Sequence, residues 1–250
     1  MRGLGLDYAG PQGTLRAVEG LDLEVAPGEF LGLLGPSGCG KSSVLAMLAG
    51  LRRPSAGRIA FPGWAGPRPP RRLMAFQDHA LLPWLSILDN VAFGLEAQGV
   101  PRAQRQARAR AMLRRVGLAE FEAARPDRLS GGMRQRAALA RLFVSDAEAM
   151  LLDEPFSALD AQTRVLLRQE LLDLWTGTGR SVVYVTHDIE EALLLCDRIV
   201  ILSPRPGRIV AEVVVPFDRP RRILGPPPPE VAALRWHIWD MLRPAMAAAA

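Results

Sequence analysis

Gly35-Pro36-Ser37-Gly38-Cys39-Gly40-Lys41-Ser42, followed by Ser43, fits the spacing G-x-x-x-x-G-K-[ST] at every fixed position. The chemistry this spacing permits is the cradling of a nucleotide triphosphate, ATP for instance. Glycines let consecutive backbone N–H groups turn toward phosphate oxygens, a helix N-terminus adds partial positive charge, and Lys41 brings an ammonium to the same oxygens. Ser42 can offer its hydroxyl to Mg²⁺. Of the 31 basic residues, 30 are arginine, and the single lysine is Lys41. A planar, forked guanidinium is a poor substitute for a compact ammonium threaded through a phosphate loop.

Other polar groups stand at the ends of apolar runs. Leu73-Met74-Ala75-Phe76 reads as a buried strand followed by Gln77, which can reach a metal or an attacking water. Ala149-Met150-Leu151-Leu152 ends in Asp153-Glu154, two carboxylates that can divide the work: Asp153 holds Mg²⁺ and Glu154 polarises water for attack on the γ-phosphorus. The β-rich run from Ser181 to Thr186 delivers His187, which can hydrogen-bond a γ-phosphate oxygen and report its presence. Leu129-Ser130-Gly131-Gly132, leading into a helix over 137–144, makes a second anion-binding helix start, which a single nucleotide does not need. Tyr8 either stacks on adenine or is an ordinary strand tyrosine.

The elements that position these groups can be read from the pattern. Pro27-Gly28 makes a turn, Glu29 to Leu34 a buried strand, and Ser42 to Ala49 a helix closed by Gly50. Short strands precede them, with a turn at Ala9-Gly10-Pro11. Arg58 to Phe61 reads as a strand, residues 62–70 as a Gly/Pro-rich connector, and residues 78–148 as an inserted helical subdomain. Within it, Pro101 starts a basic helix with an apolar stripe at Ala107, Ala111, Met112 and Val116, ended by Gly117. The cluster Leu81-Leu82-Pro83-Trp84 is either core or an exposed docking groove. Ser157 to Asp160 opens a helix running to about Trp175. Strands over 198–202 and 208–215 finish the fold, and after the prolines at 226–229 a helix over 230–242 precedes an alanine tail.

The chain has 250 residues, enough for a full core, and lies at the upper end of what one domain holds. It has no apolar run of 18 residues or more and its N-terminus lacks a signal-peptide pattern, so a soluble cytoplasmic protein is expected. Cys39 and Cys196 are too far apart in sequence to suggest a disulfide framework. Histidines 79, 187 and 237 are too scattered to suggest zinc. A net charge of +5 is compatible with nucleic acid, anionic lipid or merely an Arg-rich proteome, but the arginines of the basic helix are most simply a solvated face.

Taken together, Tyr8, the loop 35–42, Gln77, Leu129 to Gly132, Asp153-Glu154, residues 157–160 and His187 resemble the ordered motif set of an ATP-binding-cassette (ABC) ATPase over nearly the whole chain. The resemblance implies an α/β fold: a P-loop NTPase (RecA-like) core from 1–77 and 149–216, with an N-terminal antiparallel β-subdomain. To it would be joined the helical subdomain 78–148 and a C-terminal helical extension, 217–244, before a tail at 245–250. In that family two cassettes pack head to tail around two ATP molecules. By that resemblance Ser130, Gly131 and Gly132 contact a γ-phosphate of the partner copy, Asp160 links the subunits, and Tyr8 stacks on adenine. Ser42, Gln77 and Asp153 hold Mg²⁺, while Glu154, His187 and Gln77 serve catalysis.

Residues 76–84, 89–95 and 203–208 look like the importer group for nitrate, aliphatic sulfonates and taurine. Met133, where much of the wider family has glutamine, is common in that group. The implied partners are transmembrane permease subunits, a second copy of the ATPase and, indirectly, an extracytoplasmic solute-binding protein, with no nucleic acid. The implied location is the cytoplasmic face of the inner membrane. A nucleic-acid-associated ABC ATPase and a small-molecule P-loop kinase are rivals. The first usually needs two cassettes or a coiled-coil insertion, and the second needs no second glycine-rich helix start. An importer ATPase for another organic solute stays open.

Overall fold

The computed structural model describes residues 1–10, 13–78, 80–219, 221 and 228–247, with side chains of the last helix described to 243. The turn at Pro11, His79, Pro220, residues 222–227 and the last three alanines lie outside the described residues. Two compact units make up the chain: Met1–Arg72 with Ser181–Ala250, and Leu73–Arg180.

The first unit contains two sheets. Strands β1 (Arg2–Gly10) and β2 (Gly13–Leu21) form an antiparallel hairpin, and β4 (Ala56–Arg58) pairs on the other side of β1. All of β3 (Phe30–Leu34) is buried, as a strand covered on both faces must be. It lies parallel between β7 (Ser181–Thr186) and β8 (Arg198–Leu202), and β9 (Ile209–Val214) runs antiparallel along β8. Gly32 interrupts the apolar run for a packing reason: a Cβ there would stand 2.7 Å from the Cys196 sulfur. That thiol is wholly buried, and burial pushes its pKa up, so it behaves as a small apolar group. The helices of this unit are α1 (Lys41–Leu48), α6 (Ile189–Leu195) and α7 (Pro229–Ala247).

Two expectations need correction here. The strand read at 58–61 is found at Ala56–Arg58, because Gly57 takes a left-handed φ of 76° and brings its backbone against the carbonyls of Arg2 and Gly3. The expected tail continues α7 as far as Ala247, as alanine, the strongest helix former, would favour.

The second unit contains β5 (Arg72–Ala75), β6 (Ala149–Asp153) and four helices: α2 (Ile87–Ala97), α3 (Arg102–Arg115), α4 (Gly131–Phe143) and α5 (Ala161–Trp175). Helices α2, α3 and α4 pack on one another, and α4 packs on α5. The compact unit thus reaches beyond the segment 78–148. Arg136 pairs with Glu170 at 3.1 Å, and Arg180 donates to the carbonyls of Phe143 (3.2 Å) and Ser145 (2.7 Å), which ties the insertion to α5 and to the end of the unit.

The buried face of α3 is Ala109 and Leu113, continued by Val116 beyond its end; of the stripe read from sequence only Val116 is buried. Leu113, the largest aliphatic side chain of the helix, sets its rotation. The arginines then meet carboxylates: Arg105 with Glu96 (2.8 Å), Arg108 with Asp146 (2.7 Å) and Arg110 with Glu122 (2.9 Å).

Asn90 is fully buried and organises the loop ahead of α2. Its Oδ1 accepts from the Leu82 N–H at 2.7 Å, and its Nδ2 donates to the carbonyls of Leu82 (3.0 Å), Ser86 (3.0 Å) and Leu85 (3.3 Å). The loop so held presents Trp84, which is 67% exposed. Leucine in place of Asn90 would strand these backbone groups against an apolar side chain. Asn90→Leu is therefore expected to lose about 2–4 kcal/mol of stability, read as a lower urea midpoint at unchanged m-value.

Candidate nucleotide site

In the first unit, the phosphate loop is placed directly by the register of β3. Leu34 pairs with Thr186 of β7 and with Ile201 of β8, so the three strands end at one level. The chain leaving β3 is Gly35, and the chain leaving β7 is His187. Parallel pairing therefore brings an exposed histidine and the phosphate loop to the same edge, where ligands collect in α/β sheets. His187 is held from behind: the Asp188 N–H donates to Thr186 Oγ1 at 3.0 Å, the Thr186 hydroxyl donates to the Glu191 carboxylate, and Asp188 Oδ1 caps α6 by accepting from the N–H groups of Glu190 (2.9 Å) and Glu191 (3.2 Å).

Within the loop, Gly40 is the N-cap of α1 at φ 107°, a conformation that a side chain would oppose. A Cβ there would also meet the Ala17 carbonyl at 2.7 Å, so β2 backs the loop closely. Lys41 opens the helix and is only 5% exposed. Its ammonium donates to the carbonyls of Gly35 (2.8 Å) and Pro36 (3.0 Å), bracing the curve of the loop around a positive charge. Cys39 is buried, and its N–H closes a turn onto Pro36 O at 3.3 Å. Ser37, Gly38 and Ser42 lie on the same short path.

Tyr8 is tied to this helix. Its hydroxyl and Ser43 Oγ are 3.0 Å apart, and the Arg52 guanidinium lies 5.5 Å from its ring centroid. The structure thus places the strand tyrosine beside the phosphate-loop helix with a half-buried ring, a position that serves either of the roles open to it.

The second unit carries the other site residues. β5 and β6 are neighbours, so Gln77 and the pair Asp153-Glu154 leave adjacent strands. Ser157 connects them: its Oγ accepts from Gln77 Nε2 at 3.2 Å and donates to the Glu154 carbonyl at 3.0 Å. Because the nitrogen is the atom that bonds Ser157, the other corner of the amide group is the carbonyl oxygen, the atom a hard cation prefers. Glu154 itself has φ 43°, left-handed for a residue with a Cβ. Such strain persists where surrounding contacts over-determine the backbone, which is common at functional sites. The sequence marks Ser157 only as part of the run 157–160 that opens a helix, and its link between Gln77 and Glu154 joins segments 80 residues apart, which no local spacing encodes.

The glycine-rich helix start begins earlier than the expected 137, at Gly131. Ser130 caps it by accepting from the Met133 N–H at 3.3 Å. At Gly132 a Cβ would approach Thr163 Cγ2 of α5 to 2.9 Å, so this glycine also lets two helices close on each other. Asp160 caps α5, accepting from the Thr163 N–H at 2.9 Å. That hydrogen bond holds its carboxyl below the ordinary aspartate range. The predicted residues thus form two groups. Tyr8, the loop with Ser43, and His187 belong to one unit; Gln77, Ser130 to Gly132, Asp153, Glu154 and Asp160 belong to the other.

A loop, a strand-end carboxylate pair and a second glycine-rich helix start are the parts of a nucleotide-hydrolysing cassette, and the comparisons agree. The family model described as ABC transporter matches residues 18–157. The taurine import ATP-binding protein TauB of Burkholderia pseudomallei K96243 is 51% identical over 214 residues, covering 85% of this chain and 82% of that protein. An uncharacterized ABC transporter ATP-binding protein of Methanocaldococcus jannaschii, MJ0412, is 46% identical over 209 residues, covering 83% and 78%. The dimeric post-hydrolysis structure of the ATP-binding cassette MJ0796 with ADP and Pi superposes with a TM-score of 0.75 at 28% identity, covering 87% of this chain and 98% of that one. This chain belongs to the ABC transporter family and is an ATP-hydrolysing cassette of it. Among the described residues no helix is long and apolar enough to cross a membrane.

The caps and contacts lead to two expected outcomes. Gly132→Ala should lower the melting temperature by several degrees, about 1–3 kcal/mol of overpacking, and Thr163→Ser in the same chain should restore most of the loss. Because the folded-state pKa of Asp160 is depressed, its ionised cap stabilises above the unfolded value and the benefit fades as pH falls through the folded one. Wild type should therefore melt above Asp160→Ala at neutral pH, and the gap should narrow below about pH 4.

Proposed function

We propose that this chain is the ATP-hydrolysing subunit of a bacterial importer for a small anionic solute of the sulfonate, taurine or nitrate type. It would work as a pair of cassettes on the cytoplasmic face of the inner membrane, against permease subunits fed by an extracytoplasmic binding protein. The observation that carries the ATPase pairing is the presence of two anion-gathering helix starts, at Gly40-Lys41 and Ser130-Gly131, in a chain with one phosphate loop. The solute class rests on the taurine import relatives and on the wording of residues 76–84, 89–95 and 203–208. The loop carrying Trp84, steadied by Asn90, is the candidate contact with the permease, and the helices within 78–148 form the arm that carries it.

In this reading Lys41 and the loop N–H groups gather the β- and γ-phosphates, and Tyr8 packs on adenine. Ser42, Gln77 and Asp153 offer hydroxyl, amide and carboxylate oxygens, a donor set suited to Mg²⁺, which when bound neutralises phosphate charge. Glu154 accepts the proton of the attacking water as the bond from the γ-phosphorus to the ADP oxygen breaks, and His187 donates to a γ-phosphate oxygen. Ser130, Gly131 and Gly132 complete the site of the second copy, with Asp160 at the seam. Positioning and charge stabilisation supply most of the acceleration. A nucleic-acid-associated role has only the net charge of +5 in its favour, and three arginines of α3 are already engaged by carboxylates.

Glu154→Gln should bind Mg-ATP with affinity near wild type, lose turnover by about 10²–10⁴-fold, and accumulate as an ATP-bound dimer on size exclusion. Tagged Glu154→Gln protein should also retain a multi-span permease from detergent-solubilised membranes in Mg-ATP. Turnover at the wild-type rate removes Glu154 from its role, and recovery of ribosomes or repair factors without a permease sinks the importer reading.

A further inference from the structure

The segment 203–208 is built onto the phosphate loop. Gly207 donates its N–H to the Ala17 carbonyl at 2.9 Å, and its own carbonyl accepts from the Glu19 N–H at 3.1 Å, so it is stitched to β2. Gly207 also approaches the loop so closely that a Cβ on it would lie 2.2 Å from the Cys39 carbonyl oxygen. The turn is locked internally: Ser203 Oγ accepts from the Arg208 N–H at 3.0 Å and faces the carbonyls of Pro204 and Pro206, and the Ser203 N–H donates to Arg208 O at 2.9 Å. Arg205 stands between two prolines at the crest of this turn, where backbone freedom is small.

The two arginines of the segment are used differently. Arg208 is paired with Glu19, which also receives Arg16. Arg205 is exposed, and among the described residues no ion pair or hydrogen bond involves its guanidinium. It is instead directed at the phosphate loop: its Nη2 would lie 3.4 Å from a Cβ placed on Gly38. A guanidinium in that position, on a turn fastened to the backbone on both sides of it, is within reach of a polyphosphate gathered by the loop.

We propose that Arg205 is a second cation of the phosphate site, acting from the same subunit alongside Lys41 and binding the outer phosphates of the nucleotide. The proposal rests on the reading that the loop 35–42 holds those phosphates. Arg205 supplies a forked donor pair from outside the loop, whereas Lys41 supplies a point charge from within it. The turn exists to hold that fork in place, which explains why Gly207 is pressed against Cys39 and why the flanking arginine is spent on Glu19.

The test is displacement of a fluorescent ATP analogue by ATP, ADP and AMP from the full chain, for wild type, Arg205→Ala, Arg205→Lys and Lys41→Ala, at low and high NaCl. Arg205→Ala should weaken ATP about tenfold, ADP less and AMP not at all, because the loss tracks the number of outer phosphates. The defect should shrink at high salt, and Arg205→Lys should recover much of it. An equal loss for all three nucleotides would mean that Arg205 only supports the turn, and would overturn the proposal. Unchanged ATP affinity in Arg205→Ala beside a large loss in Lys41→Ala would overturn it while leaving the loop reading intact. Unchanged affinity in Lys41→Ala would remove the loop reading and this proposal with it.

Discussion

Parallel pairing of β3 with β7 and β8 is the constraint on which the rest of the first unit depends. Because Leu34, Thr186 and Ile201 stand in register, three successive departures from the sheet occur at one edge: Gly35 into the phosphate loop, His187 into the turn before α6, and, after Leu202, the segment 203–208. A slip of one residue in either pairing would exchange the two buried faces of β3, setting each side chain against the wrong neighbours, as well as separate these groups, so apolar packing and site assembly are enforced by the same hydrogen bonds. The loop is then supported from behind by backbone, with Ala17 against Gly40 and Gly207 against Cys39.

The second unit uses local strain and caps in place of a strand register. Glu154 is held at positive φ directly after β6, and Ser157 joins its carbonyl to Gln77. A carboxylate placed by a strained backbone and a hydrogen-bonded turn is more narrowly aimed than one on a free loop. Ser130 and Asp160 show that a residue type suited to ligand chemistry also serves folding, since both cap helices whose first turns pack closely at Gly132 and Thr163.

Charge is distributed in the same economical way. A chain with 31 basic and 26 acidic residues has more arginine than its ligand chemistry requires. Much of the surplus is fastened to carboxylates or carbonyls: Arg198 to Glu29 and Glu212, Arg108 to Asp146, Arg180 to Phe143 and Ser145. Among these, a solvent-exposed pair such as Arg108 with Asp146 contributes little stability. The effect of these contacts is to orient long side chains, so that the basic balance does not become an undirected positive surface.

The amino-acid sequence by itself marked the phosphate loop, the strand-end Gln77, Asp153-Glu154 and His187, the glycine-rich run before α4, and most of the strands and helices around them, though not α6. These are legible because they depend on local rules: which backbones only glycine adopts, which residues cap helices, and which runs are apolar enough to be buried strands. Tertiary structure alone decided the rotation of α3 about Leu113, the extension of the second unit to Arg180, the pairing of Ala56–Arg58 with β1, the role of Ser157 between Gln77 and Glu154, the hold of Asn90 on the Trp84 loop, and the approach of Arg205 to Gly38. Each of these is a contact between segments whose meeting depends on how strands pair and helices pack, and no periodicity within a single segment encodes it.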